Sequence, residues 1–252
     1  MNFKSIFLFV LLIVFLSCKS KSYLYKIEGD RITISDSLQA DGSIEAYIQP
    51  YREHVNKNLD SVIAYSVNTY SKSDGELNTA IGNFLADMVY EQSNPIFKKR
   101  TGKDIDFVLI NHGGIRAIIS KGNVTTRTAF EVMPFENAIV VAELKGIYVK
   151  ELFDYLAAEK RAHPISKLKL VLDKDAEIAS AAIKGLPFDI DKTYYVATND
   201  YLYNGGDRMD FFKKSDNVYV LDYKIRNALI DYLHKIDTIQ PVIDDRFIQL
   251  KK

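Results

Sequence analysis

Phe107-Val108-Leu109-Ile110-Asn111-His112-Gly113-Gly114-Ile115-Arg116 runs four apolar residues directly into a polar loop with paired glycines. An unbroken apolar run of that length, bounded by turn residues, reads as a buried strand, and the glycines mark the loop at its end. Working outward, further strands are expected at 138–144, 167–172, 178–183, 193–198 and 246–250. Helices are expected around 79–91, where Ile81, Phe84, Leu85 and Met88 share a face, at about 147–160, and at 223–236 with Ile225, Leu229, Leu233 and Ile236 inward. An earlier helix starts near Ile44, with Ser43 as its cap and Pro50 as a bend or break. Helices and strands alternate irregularly, which predicts a mixed α+β fold rather than a doubly wound sheet.

The chain opens with Lys4 and an apolar run from Ile6 to Leu16, ending at Ser17-Cys18, the only cysteine of 252 residues. The run is shorter than the roughly 20 apolar residues that span a bilayer, so residues 1–17 read as a signal peptide. A lone cysteine after Phe15-Leu16-Ser17 looks like a bacterial lipoprotein signal, cleaved before Cys18 and acylated there. The expected organisation is therefore a signal peptide at 1–17, a lipidated cysteine and tether at 18–43, and one folded domain at 44–252. That places the protein outside the cytoplasm, attached to the envelope by its lipid. Basic and acidic residues number 33 each, so no basic surplus advertises nucleic acid, and 47% hydrophobic with 26% charged residues is ordinary globular composition.

Some chemistry has no support. His54, His112, His163 and His234 form no H-x-H pair and no H-E-x-x-H helix, and Asn111-His112 lacks the flanking glycine and acid of a metallophosphatase Gly-Asn-His-Asp/Glu motif. No metal cage, nucleophile elbow, Walker loop or dinucleotide fingerprint is found. No catalytic residue, metal ligand or cofactor is therefore expected in this chain.

Other chemistry is present. Arg116 supplies a planar donor fork suited to phosphate. Val132-Met133-Pro134-Phe135 holds a ring just after a proline. Asn199-Asp200-Tyr201-Leu202-Tyr203-Asn204-Gly205-Gly206-Asp207 sets a second ring six residues ahead of a carboxylate on a double-glycine turn. A ring offers a stacking face, and a carboxylate accepts hydrogen bonds from a ribose diol.

Together these segments resemble the C-terminal domain of the 5'-nucleotidase and UDP-sugar hydrolase family. Gly82-Asn83-Phe84-Leu85-Ala86-Asp87 is similar to its Gly-Asn-Leu-x-Ala-Asp helix, and 111–116 to its Asn-x-Gly-Gly-Ile-Arg loop. Residues 132–135 look like its Leu-Pro-Phe element, and 201–207 like its aromatic-x-x-Asn-Gly-Gly-Asp turn. The resemblance covers roughly residues 44–250, with 44–62 similar to the helix that joins this domain to a metallophosphatase half. It implies that Phe135 and Tyr201 sandwich a base, Asn111 touches it, Asp207 holds the ribose hydroxyls, and Arg116 meets the phosphate or ribose end. Tyr201 stands where phenylalanine is common, and the family's upstream arginine has no clear counterpart among Lys72, Asp74 and Glu76.

Three readings follow. The chain is the nucleotide-recognition half of a split extracytoplasmic 5'-nucleotidase, serving a separate metallophosphatase chain that holds the divalent metals. Alternatively, it is a lipoprotein that binds nucleotide or nucleoside without hydrolysis. The blandest reading is an envelope interaction module that keeps the motifs only as scaffold.

Overall fold

A computed structural model describes residues 23–251; the expected signal peptide and Cys18 lie outside the described residues. The described chain falls into two units divided at Gln49/Pro50. In the first, residues 23–40 form no helix or strand, and helix α1 (Gly42–Leu59) begins. Its start is capped by Asp41, not by the expected Ser43: the Asp41 carboxylate accepts from the Ser43 and Ile44 backbone N–H groups at 2.8 and 3.2 Å. Pro50 lies inside the helix without interrupting it.

The second unit is α+β, as expected. Its centre is a five-stranded mixed sheet ordered β10 (Asn217–Lys224), β4 (Ala138–Lys145), β9 (Thr193–Asn199), β2 (Phe107–Leu109), β5 (Ile165–Ser166). Alternate residues of these strands enter two different cores, which follows from the period of two along a strand. Val108, Ile139, Val141 and Ala197 pack with helices α2 (Ala80–Thr101) and α6 (Ile225–Leu233). Phe107, Leu109, Ala142, Leu144 and Val196 face helix α4 (Gly146–Glu159) and a four-stranded sheet of β12 (Phe247–Gln249), β6 (Leu168–Leu172), β7 (Ile178–Ile183) and β8 (Leu186–Pro187). A three-stranded sheet, β11 (Thr238–Ile239), β1 (Val62–Ser66) and β3 (Gly122–Thr125), leads into the short helix α3 (Thr126–Val132).

Helix α2 runs ten residues past its expected end, straight through Pro95 to a cap at Gly102. Phe97, fully buried beyond the proline, anchors the extension against Tyr195 and Tyr219. Burial of that ring offsets the missing hydrogen bond of an internal proline. The Gly82-to-Asp87 motif on this helix performs a structural task. Buried Asn83 donates to Asn78 Oδ1 (2.9 Å) and to Val242 O (3.0 Å), while Asp87 accepts from Ser166 Oγ (2.6 Å) and from Arg246 (3.0 Å).

Candidate functional site

The register of three strands brings the expected site segments to one end of the central sheet. Strands β4 and β9 are antiparallel, with Ile139 opposite Asn199, so the start of β4 meets the end of β9. Phe135 lies three residues before β4, and Tyr201 two residues after β9. Strand β2 is parallel to β9, with Val108 opposite Ala197, so Asn111, two residues past β2, emerges at that same end.

Tyr201 and Asp207 form the tightest part of the arrangement. After β9, Asn199 accepts from Leu202 N (2.8 Å) through its side-chain oxygen and starts the four-residue helix α5 (Asp200–Tyr203). The chain then turns at Gly205, with φ of +89°, into Gly206. A Cβ on Gly206 would sit 2.5 Å from two Tyr201 ring carbons, so the backbone lies directly against the ring and only glycine fits. Asp207 is held at φ +51°. Its carboxylate accepts from the Tyr201 hydroxyl at 2.8 Å, its N–H donates back to that oxygen at 3.3 Å, and its carbonyl accepts from Tyr155 Oη at 2.9 Å. The neighbouring carboxylate raises the Tyr201 phenol above its ordinary range, so it remains protonated as a donor.

Asn111 connects this turn to the glycine loop. It is buried, and its side-chain oxygen accepts from Asn199 Nδ2 at 3.0 Å. Part of its capacity therefore goes to the fold, through the residue that caps α5. The loop itself is a 3₁₀ turn at His112–Gly114. Arg116 is exposed, and its guanidinium carbon lies 5.8 Å from the Phe135 ring centroid. The structure thus places Arg116 with Phe135, and Tyr201 with Asp207. Both rings are roughly half exposed, Phe135 at 46% and Tyr201 at 43%.

The segment carrying Phe135 is steadied on both sides of that ring by a residue that the sequence did not single out. Arg226 on α6 is buried, lies 4.2 Å from the Phe130 ring centroid, donates to Pro134 O at 3.0 Å and pairs with Glu136. Lys224 also pairs with Glu136, and the two cations hold that carboxyl down at about 2. Lys72, in the neighbourhood where the family's upstream arginine is lacking, donates to Ile115 O at 2.8 Å and so brings a cation to the Arg116 loop. Such long-range partners carry no local motif.

His112 and His163 sit behind the turn. His163 is 1% exposed; its Nδ1 accepts from the His112 N–H at 3.3 Å, which leaves the proton on Nε2, an atom without a partner among the described residues. Burial pushes the imidazole down to about 4. Burial also lowers His112, whose ring nitrogen lies 3.1 Å from Ala162 O. Among the described residues, no group of three or more histidine, cysteine, aspartate or glutamate side chains is placed to hold a metal ion. A cleft of about 900 Å³ lies elsewhere, between α2 and the β6–β7 hairpin, and includes none of the five expected ligand residues. Its lining includes Arg246, which bridges Asp87 and Asp244.

Among solved structures, the 5'-nucleotidase precursor from Thermus thermophilus superposes with a TM-score of 0.68 and 23% identity, over 83% of this chain and 43% of that one. At that identity the likeness defines the class of fold, that of a 5'-nucleotidase C-terminal domain. Sequence goes further: the chain belongs to the family described as 5'-nucleotidase, C-terminal domain, which it matches over residues 57–214. It is 30% identical to the cell wall protein Lmo0130 of Listeria monocytogenes over 64% of its own length and 22% of the relative's. It is 33% identical to the protein UshA of Escherichia coli over 55% of its length and 26% of UshA. The chain thus spans about a quarter of the length of these two curated relatives.

Proposed function

We propose that this chain recognises a nucleotide outside the cytoplasm and presents it to a metallophosphatase carried on another polypeptide. The observation that supports this most is the convergence, at one end of one sheet, of two half-exposed rings, one with a carboxylate fixed to its hydroxyl and the other beneath a guanidinium. Phe135 and Tyr201 stack on the base, Asp207 takes the ribose, Asn111 offers its amide N–H₂, and Arg116 with Lys72 nearby attracts the phosphate. Family membership supports a nucleotide as the ligand class. In this reading the divalent metals are held by the partner.

Calorimetry of the purified chain with AMP is expected to show binding, while AMP hydrolysis in the presence of Mn²⁺ or Zn²⁺ stays at the buffer level. Adding a separately produced 5'-nucleotidase metallophosphatase half is expected to start hydrolysis. Robust metal-dependent hydrolysis by the chain alone would overturn the division of labour.

The localisation belongs to the same proposal. Lipid on Cys18 holds the domain to the bacterial envelope, in keeping with a relative named as a cell wall protein; among the described residues no helix is long and apolar enough to cross a membrane. Metabolic labelling with radioactive palmitate should mark the wild-type protein, and Cys18→Ser should abolish the label; equal labelling of both removes the anchor.

A further inference from the structure

The Tyr201 hydroxyl is the part of the site that a phenylalanine at this position would lack, and its one proton is already committed. It donates to Asp207 Oδ1 at 2.8 Å and accepts from the Asp207 N–H at 3.3 Å, closing a ring of bonds over six residues. The contact is fixed from outside as well: the Gly206 backbone lies against the ring, and Tyr155 holds the Asp207 carbonyl. One oxygen of the carboxylate thus has an internal donor before any ligand arrives.

We infer that Tyr201 sets the sugar selectivity of this site, making it tolerant of deoxyribonucleotides as well as ribonucleotides. The inference rests on the nucleotide reading given above. A site that relies on a ligand hydroxyl to satisfy a polar group rejects the analogue lacking it, because the group is then left unpaired. Here the phenol supplies that donor permanently. Removal of a ribose hydroxyl leaves Asp207 with its Tyr201 bond intact, so the missing group costs little. A phenylalanine at 201 would keep the stacking face and make the carboxylate dependent on the ribose diol.

The test compares AMP and dAMP by calorimetry on the full protein, wild type and Tyr201→Phe. The wild type is expected to prefer AMP by less than about fivefold. In Tyr201→Phe the preference is expected to widen to about tenfold or more, the scale of one hydrogen bond to a charged group. Asp207→Asn, which removes the charge that a ribose diol addresses, is expected to collapse the preference in the Tyr201→Phe background. An unchanged ratio in Tyr201→Phe, or a wild type that already rejects dAMP strongly, overturns the inference while leaving the nucleotide reading in place. A wild type that binds neither nucleotide strikes the reading beneath it. Thermal unfolding of Tyr201→Phe, measured in parallel, shows whether the turn has kept its stability.

Discussion

Alanine at Phe135 or Tyr201 is expected to weaken AMP binding by about tenfold each, and the double substitution by more than either alone but by less than about a hundredfold. Base stacking on an aromatic side chain is worth roughly 1–3 kcal/mol where truncation has tested it, and the half-exposed rings here belong at the lower part of that range. The two losses should fall short of independent addition, because both rings address one base. Stability separates the variants. Phe135 is exposed and its loop remains tied to Arg226 through Pro134 O, so Phe135→Ala should change unfolding by less than about 1 kcal/mol. Tyr201→Ala also releases Asp207 and opens a gap against Gly206, so it should cost more. Unchanged AMP affinity in the double variant would leave the motifs as scaffold and end the clamp reading.

Acid is expected to begin destabilising the domain as pH falls below the ordinary histidine value of 6.5. His163 has an ordinary value of 6.5 and is pushed down to about 4 by burial, so between those values the unfolded chain binds a proton that the folded one excludes. Stability therefore falls as pH drops through this window, by an amount on the order of 3 kcal/mol when fully expressed. Burial acts on His112 in the same direction. The groups facing His163 partly oppose one another: Asp207 favours its protonation, while Arg161 and His112 disfavour it. Urea unfolding at pH 7 and pH 4.5 should show this slope in the wild type and a flatter one in His163→Phe, which keeps a ring beside Tyr155. Equal slopes in the two proteins would remove His163 as the cause.

Several strands of the central and four-stranded sheets were legible because β4 and β9 in the first and β6 and β7 in the second carry their apolar residues in runs bounded by turn residues. Strand β10 was not, since Val218 and Val220 point outward at the sheet edge and its end was read as the beginning of α6. The short strands β1 and β3 gain their identity from pairing with each other, information that no local window contains. Helix α2 was read only as far as residue 91 from the face shared by Ile81, Phe84, Leu85 and Met88; the burial of Phe97 beyond Pro95, visible in three dimensions, explains why it continues. The segments expected to meet a ligand were legible as motifs of consecutive residues. Their supports were not: Arg226, Lys72, Tyr155 and His163 arrive from distant segments, and nothing in their immediate neighbours distinguishes them from ordinary surface or core residues.

The register between β4 and β9 carries a consequence for how such a domain can change over time. With Phe135 three residues before one strand and Tyr201 two residues after its antiparallel neighbour, the placement of both ring-bearing segments at one end of the sheet is set by backbone pairing. An inserted residue in either connector would swing a ring away from its counterpart, and slipping the pairing by one residue would exchange the two core faces of the strand. On the proposed nucleotide reading, descendants of this chain would adjust ligand preference by exchanging side chains such as the one at position 201, whereas lengthening these two connectors would be a route that selection closes.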